Sequence, residues 1–129
     1  MKLGFGLYKG LLNDQNFQFA KQAGASHLIV QLVDYVKGGD SPSLAIDYKN
    51  GWGVTQNQNK LWEYDELIRI KKKIESHGLK WEAIENFDPS HWYDILLDGP
   101  NKDKQLENLK YMIRNIGKAG IKIMGYYFS

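Results

Sequence analysis

Cysteine is absent from the 129-residue chain, which removes disulfides and thiolate metal sites from consideration. Its absence suits a reducing compartment. Charge of one sign is also lacking. Seventeen basic residues against 15 acidic ones leave a net charge of +2, too little to call for a polyanionic partner. The one basic run, Lys71-Lys72-Lys73, falls in a helical pattern, where a solvated face accounts for it. No apolar run is long enough to cross a bilayer, and the opening "MKLGFGLYKG" lacks the apolar stretch of a secretory leader. The expectation is a cytoplasmic protein with no nucleic-acid and no membrane partner.

Several chemical signatures are missing as well. The glycines of "GFGLYKG", Gly4 to Gly10, are not spaced as G-x-G-x-x-G and begin inside a strand, so a dinucleotide site is poorly supported. There is no P-loop, no Ser–His–Asp arrangement and no His-x-His pair. Nucleotide, nucleophilic and self-contained metal chemistry are weakly supported in consequence.

What is present is an ordinary globular mixture, 43% hydrophobic and 25% charged, of one domain's length. Four short apolar runs, 2–8, 27–34, 79–85 and 121–128, read as strands. Helical patterns separate them. The first spans 14–23, with Asp14 as its cap, Phe17, Ala20 and Ala23 on its apolar face, and Gly24 ending it. The second spans 64–77, with Leu67, Ile70 and Ile74 inward and Gly78 after it. The third spans 103–118, with a stripe of Leu106, Leu109, Ile113 and Ile116 and then Gly120. Between the second strand and the second helix, residues 36–61 hold turn formers and little periodicity, as a long loop or lid does. The segment "NFDPSHWYDILLDGPNK" reads as a second loop.

The order β-α-β-α-β-α-β demands parallel strands with right-handed crossovers. Either a doubly wound sheet or part of a (β/α)8 barrel satisfies it. Alternation within the strands favours the barrel. Leu3, Phe5 and Leu7 share the face under the helices, leaving Gly4, Gly6 and Tyr8 inward. The same parity turns Ile29, Gln31 and Val33 inward, then Trp81, Ala83 and Glu85, then Ile123, Gly125 and Tyr127. Each strand thus brings a polar or phenolic group to its C-terminal end: Tyr8, Gln31, Glu85 and Tyr127. Barrel active sites lie at that rim.

The segments "LGFGLY", "FAKQAGASHLIVQLVDY", "GWGVT", "LWEYDEL", "EAIENFDPSHWYDILLDGP" and "NLKYMIRNIGKAGIKIMGYYFS" resemble the N-terminal part of mannonate dehydratase. The resemblance runs through nearly the whole chain, and "IENFDPSHWYDILLDGP" and "IRNIGKAGI" are its most specific pieces. It implies a (β/α)8 TIM-type barrel of the xylose-isomerase-like class, of which residues 1–129 would be the N-terminal half, with four parallel strands and three helices. It implies a lyase that converts D-mannonate to 2-keto-3-deoxy-D-gluconate and water in hexuronate catabolism, using Mn²⁺ or another divalent metal. The family's metal ligands and main acid/base residues belong to the second half of the barrel. This chain alone is therefore expected to bind no metal and to be inactive, and to act as a homo-oligomer or paired with a C-terminal half. No catalytic residue is assigned within it.

The resemblance carries over as substrate-binding candidates Tyr8, which closes the first strand, Glu85, which matches the family's "IE", and His91 in the loop that follows. Gln31 and Tyr127 join them by strand parity, Tyr127 standing where relatives have an asparagine. Glu85 would serve as a substrate-orienting carboxylate or a general base, and His91 with Asp94 as metal or substrate contacts. Trp52, Trp62 and Trp92 would form a lid or anchor the long loops. Two other readings remain open: a non-enzymatic, self-associating α/β half-barrel module, and part of a related sugar isomerase or epimerase barrel.

Overall fold

A computed structural model describes residues 1–33 and 60–126. The expected lid at 36–61, apart from its last two residues, lies outside the described residues, as do Trp52 and Tyr127. Four parallel strands, β1 (Gly4–Tyr8), β2 (His27–Gln31), β3 (Lys80–Glu85) and β4 (Ile123–Gly125), lie side by side in chain order. Helices α1 (Asp14–Gln22), α2 (Tyr64–Ser76), α3 (Tyr93–Leu97) and α4 (Lys102–Lys118) complete the architecture. One more helix is present than the sequence suggested. The stretch read as a loop after β3 contains a 3-10 turn, Pro89–His91, and then α3.

Strand order is informative in itself. In a doubly wound sheet the order reverses at a switch point; here it runs β1-β2-β3-β4 without reversal. Successive right-handed crossovers in one direction put every helix on the same side of the sheet. Burial agrees. Leu7, Leu28, Val30 and Ile84 form one cluster with Phe17 and Ala20 of α1, Leu67 and Ile74 of α2, and Met112 and Ile116 of α4. Eight of these ten (Phe17, Ala20, Leu28, Val30, Leu67, Ile74, Ile84 and Met112) are wholly buried, the larger side chains among them each contributing about 1.5–3 kcal/mol of transfer free energy. On the opposite face Gly4, Gly6, Tyr8 and Ile123 are exposed.

Local chemistry explains the helix ends. Asn13, not Asp14, caps α1: its side-chain oxygen accepts from the Asn16 N–H at 3.0 Å. Asp14 occupies the first turn, where its charge suits the helix dipole. Gly24 and Gly120 have φ of +86° and +73°, which glycine adopts without steric cost. Each lies in a Schellman closure, in which Ala25 N–H donates to Ala20 O and Ile121 N–H to Ile116 O. Gly78, at φ +71°, ends α2.

Three side-chain expectations change. Ala23 is exposed, since it falls at the α1 C-cap. The buried stripe of α4 is Gln105, Met112 and Ile116, with Leu109 half-buried and Ile113 turned to solvent. Trp81 does not share a face with Ala83. The β2–β3 register slips between Leu28 and Ile29, pairing Leu28 with Trp81 and Ile29 with Ala83, so a bulge shifts the period by one residue. Trp81 therefore aligns with wholly buried Leu28, and its indole N–H donates to the Ala83 carbonyl.

Candidate functional site

Parallel strands end on the same edge of the sheet, so the last residues of β1, β2 and β3 share one rim. Register places Tyr8 beside Gln31 and Glu85 beside Gly125. Gln31 and Glu85 meet across β2 and β3: the Gln31 amide Nε2 donates to Glu85 Oε2 at 3.0 Å. Tyr8 is 49% exposed. Three of the five sequence candidates thus gather at one end of the open face. A carboxylate braced by an amide, beside a phenol, is suited to holding vicinal hydroxyl groups, because it offers fixed acceptors and a donor at one edge.

His91 takes a different place. It is buried in the Pro89–His91 turn, and its Nε2 lies 3.1 Å from the Lys60 carbonyl. A carbonyl only accepts, so Nε2 carries the proton in this contact. The ring belongs to a buried group rather than to solvent. Around it Trp62 stacks on Phe87 with centroids 5.3 Å apart, and the Trp92 indole donates to the Phe87 carbonyl at 3.2 Å. Trp62 therefore anchors the return of the chain from the long segment into α2. Asn115 of α4 secures the same point by donating to the Trp62 carbonyl.

Asp94 is likewise structural in its contacts. Its Oδ2 accepts from the Asn101 N–H at 2.9 Å, and a Cβ at Gly99 would overlap its carboxylate. Gln105 closes this corner by accepting from the Asp94 and Ile95 N–H groups and donating to the Ser90 carbonyl.

Two features of the rim had no advance signal in periodicity. Glu66, in the first turn of α2, accepts from Lys60 at 2.8 Å and lies 3.8 Å from Lys9, just beyond β1. That hydrogen bond holds the Lys60 ammonium above its usual range, against the opposing effect of burial. The other feature is Asn86, directly after Glu85. It is buried, has φ of +64°, and its Oδ1 has no hydrogen-bond partner. Strain and an orphaned acceptor each cost on the order of 1–3 kcal/mol. The one available hint was asparagine's tolerance of left-handed backbone.

The opposite end of the open face is built differently. There Glu82 accepts from Lys2 and lies 3.7 Å from His27 Nε2, while Ser26 Oγ meets His27 Nδ1 at 2.7 Å. Among the described residues, no group of three or more His, Cys, Asp or Glu side chains stands together to hold a metal ion. The donor set present does not fit a divalent metal held by these residues. Nor, among them, is any helix long and apolar enough to cross a membrane.

Sequence comparison adds the family. The chain is 39% identical over 69 residues to a mannonate dehydratase of Thermotoga maritima, and equally so to those of Thermotoga petrophila and Thermotoga neapolitana. The matched stretch covers 54% of this chain and 19% of each of those curated relatives. A family profile described as D-mannonate dehydratase (UxuA) matches residues 22–129, a span that takes in β2 to β4, the Gln31–Glu85 pair and the His91 turn. By that match the chain belongs to the D-mannonate dehydratase family.

Proposed function

We propose that this chain supplies the first-strand side of the substrate rim of a mannonate dehydratase-like lyase, built as a (β/α)8 barrel and working in hexuronate catabolism. The observation that carries the proposal is the convergence of Tyr8, Gln31 and Glu85 on one strand-end rim, in a chain of this family. A unidirectional β1-β2-β3-β4 order with helices on one side is the arrangement a closed barrel repeats.

In the dehydration of D-mannonate, a proton leaves C2 and hydroxide leaves C3. The enol so formed tautomerises to the 2-keto acid. The part assigned to this rim is orientation. Glu85, braced by Gln31, accepts from substrate hydroxyls, and Tyr8 closes the edge beside them. Held in one geometry, the C2 hydrogen and C3 hydroxyl reach the proton-transfer groups without the entropy cost of a free search. Mn²⁺ or another divalent ion is the family expectation, but the donor set of the described residues does not fit one. Tyr127 is a further candidate for substrate binding, whereas His91 acts as a supporting residue through its buried contact with the Lys60 carbonyl.

The test is a two-dimensional NMR titration of the 129-residue chain with D-mannonate, paired with an assay for 2-keto-3-deoxy-D-gluconate. Saturable shifts are expected at Tyr8, Gln31 and Glu85, with no product formed by this chain alone even with Mn²⁺ added. Shifts confined to the Lys2–His27–Glu82 end would defeat the assignment of the rim. Turnover by the chain alone would defeat the division of labour.

A further inference from the structure

Asn86 sits where β3 ends and the chain leaves the sheet. Its left-handed φ of +64° is one that non-glycine residues hold only when their surroundings enforce it. The enforcement is visible on both sides. The Asn86 N–H donates to the Gly125 carbonyl at 2.8 Å, and Phe87 is stacked on Trp62. The residue is 5% exposed. Its Oδ1 is the one buried side-chain nitrogen or oxygen without a hydrogen-bond partner among the described residues. Glycine would take this backbone without strain and leave no orphaned acceptor. The asparagine amide thus serves nothing that the described fold uses.

The chemistry of the neighbourhood says what it lacks. Glu85, the preceding residue, receives one hydrogen bond on Oε2, from Gln31, and its other oxygen has no partner among the described residues. Two acceptors on consecutive residues, with one hydrogen bond between them from Gln31, leave acceptor capacity at the rim unfilled. A polyhydroxy acid brings several O–H donors at once. The Asn86 oxygen has no solvent contact, so accepting from a ligand hydroxyl requires its side chain to rotate toward Glu85, the preceding residue at the rim.

We infer that Asn86 is a further substrate-positioning residue, whose Oδ1 accepts a hydrogen bond from a hydroxyl of the polyhydroxy acid held at Glu85 and Gln31. The inference rests on the sugar-acid reading of the rim. It is tested in the full chain with Asn86→Gly and Asn86→Asp, by thermal unfolding and calorimetric titration with D-mannonate as the probe. Without ligand, Asn86→Gly melts at or above the wild-type temperature, because strain and an unpaired acceptor are both removed. With D-mannonate its affinity falls roughly five- to tenfold, the scale of one lost hydrogen bond. Asn86→Asp keeps an acceptor oxygen and retains most of the affinity.

An Asn86→Gly chain that melts well below wild type makes the amide a structural partner and overturns the inference. So does wild-type affinity in that variant, while leaving the sugar-acid reading intact. A wild-type chain that ignores D-mannonate sinks that reading and the inference together. Stabilisation by Mn²⁺ or Ca²⁺ alone, lost in Asn86→Gly, would put a cation on the oxygen and overturn the polyol assignment.

Discussion

Lys2, His27 and Glu82 show how single residues divide the open face into two ends with different chemistry. At the rim, Gln31 and Glu85 form an uncharged–charged pair with acceptor capacity left over. At the N-terminal end, Glu82 is taken up by Lys2, with His27 beside it. The Lys2 hydrogen bond holds the Glu82 carboxyl below its usual range, assisted by the charges of Lys2, His27 and Lys122. A depressed folded-state value means stabilisation that is present above the ordinary carboxylate range and lost as pH falls through it. Lys2→Met should therefore return Glu82 toward ordinary titration, followed by its side-chain carboxyl NMR signal. The stability difference between the two chains in urea should shrink from neutral pH toward pH about 3. A difference that stays constant over that interval would show that the pair contributes nothing through charge.

At the scale of elements, strand positions and helix terminators were legible because they rest on local chemistry. Branched and aromatic runs mark β1 to β4, and Gly24, Gly78 and Gly120 stop three helices with the positive φ that glycine allows. The rim residues Tyr8, Gln31 and Glu85 were legible for the same reason, as period two fixes the face at each strand end. Three things were not. A bulge costs one residue of register and carries no compositional mark, so strict alternation puts Trp81 on the wrong face. The turn and helix after β3 are short and held by Gln105, a polar residue whose three hydrogen bonds close in space and not in sequence. Asn86 depends on backbone strain, which a pattern of residue types does not record.

Gln105 also explains the rotation of α4. Burying it at the start of the stripe brings Met112 and Ile116 inward and leaves Ile113 at 51% exposure, against 4% for Ile116. Substituting lysine at each position separates the two readings of this helix. Ile113→Lys should change stability by no more than about 0.5 kcal/mol, whereas Ile116→Lys buries an unpaired charge and should cost more than about 3 kcal/mol. Urea unfolding of both chains is the measurement. Equal losses would restore the stripe of Leu106, Leu109, Ile113 and Ile116.

Among the described residues the sheet is covered by helices on one side, and at the scale of the whole molecule its stability should be graded across the strands. β2 and β3 each have two strand neighbours, while β1 and β4 each have one among the described residues. Leu28, Val30 and Ile84 in the middle are wholly buried; Gly4, Gly6 and Ile123 at the margins are exposed. Local opening is easiest where few buried contacts must break, so amide exchange should follow the strand order. Residues 27–31 and 80–85 should exchange most slowly, 4–8 faster, and 123–125 fastest, since β4 has three residues and a single partner. The Asn86 N–H is the sharpest probe, because it is bonded to the Gly125 carbonyl of β4 but lies at the end of β3. It should open with β4, well before the rest of β3. Hydrogen exchange read by NMR at single residues decides this. If 123–125 are as protected as 27–31, the margin at β4 is covered, and the graded, one-sided sheet is the wrong description of this protein in solution.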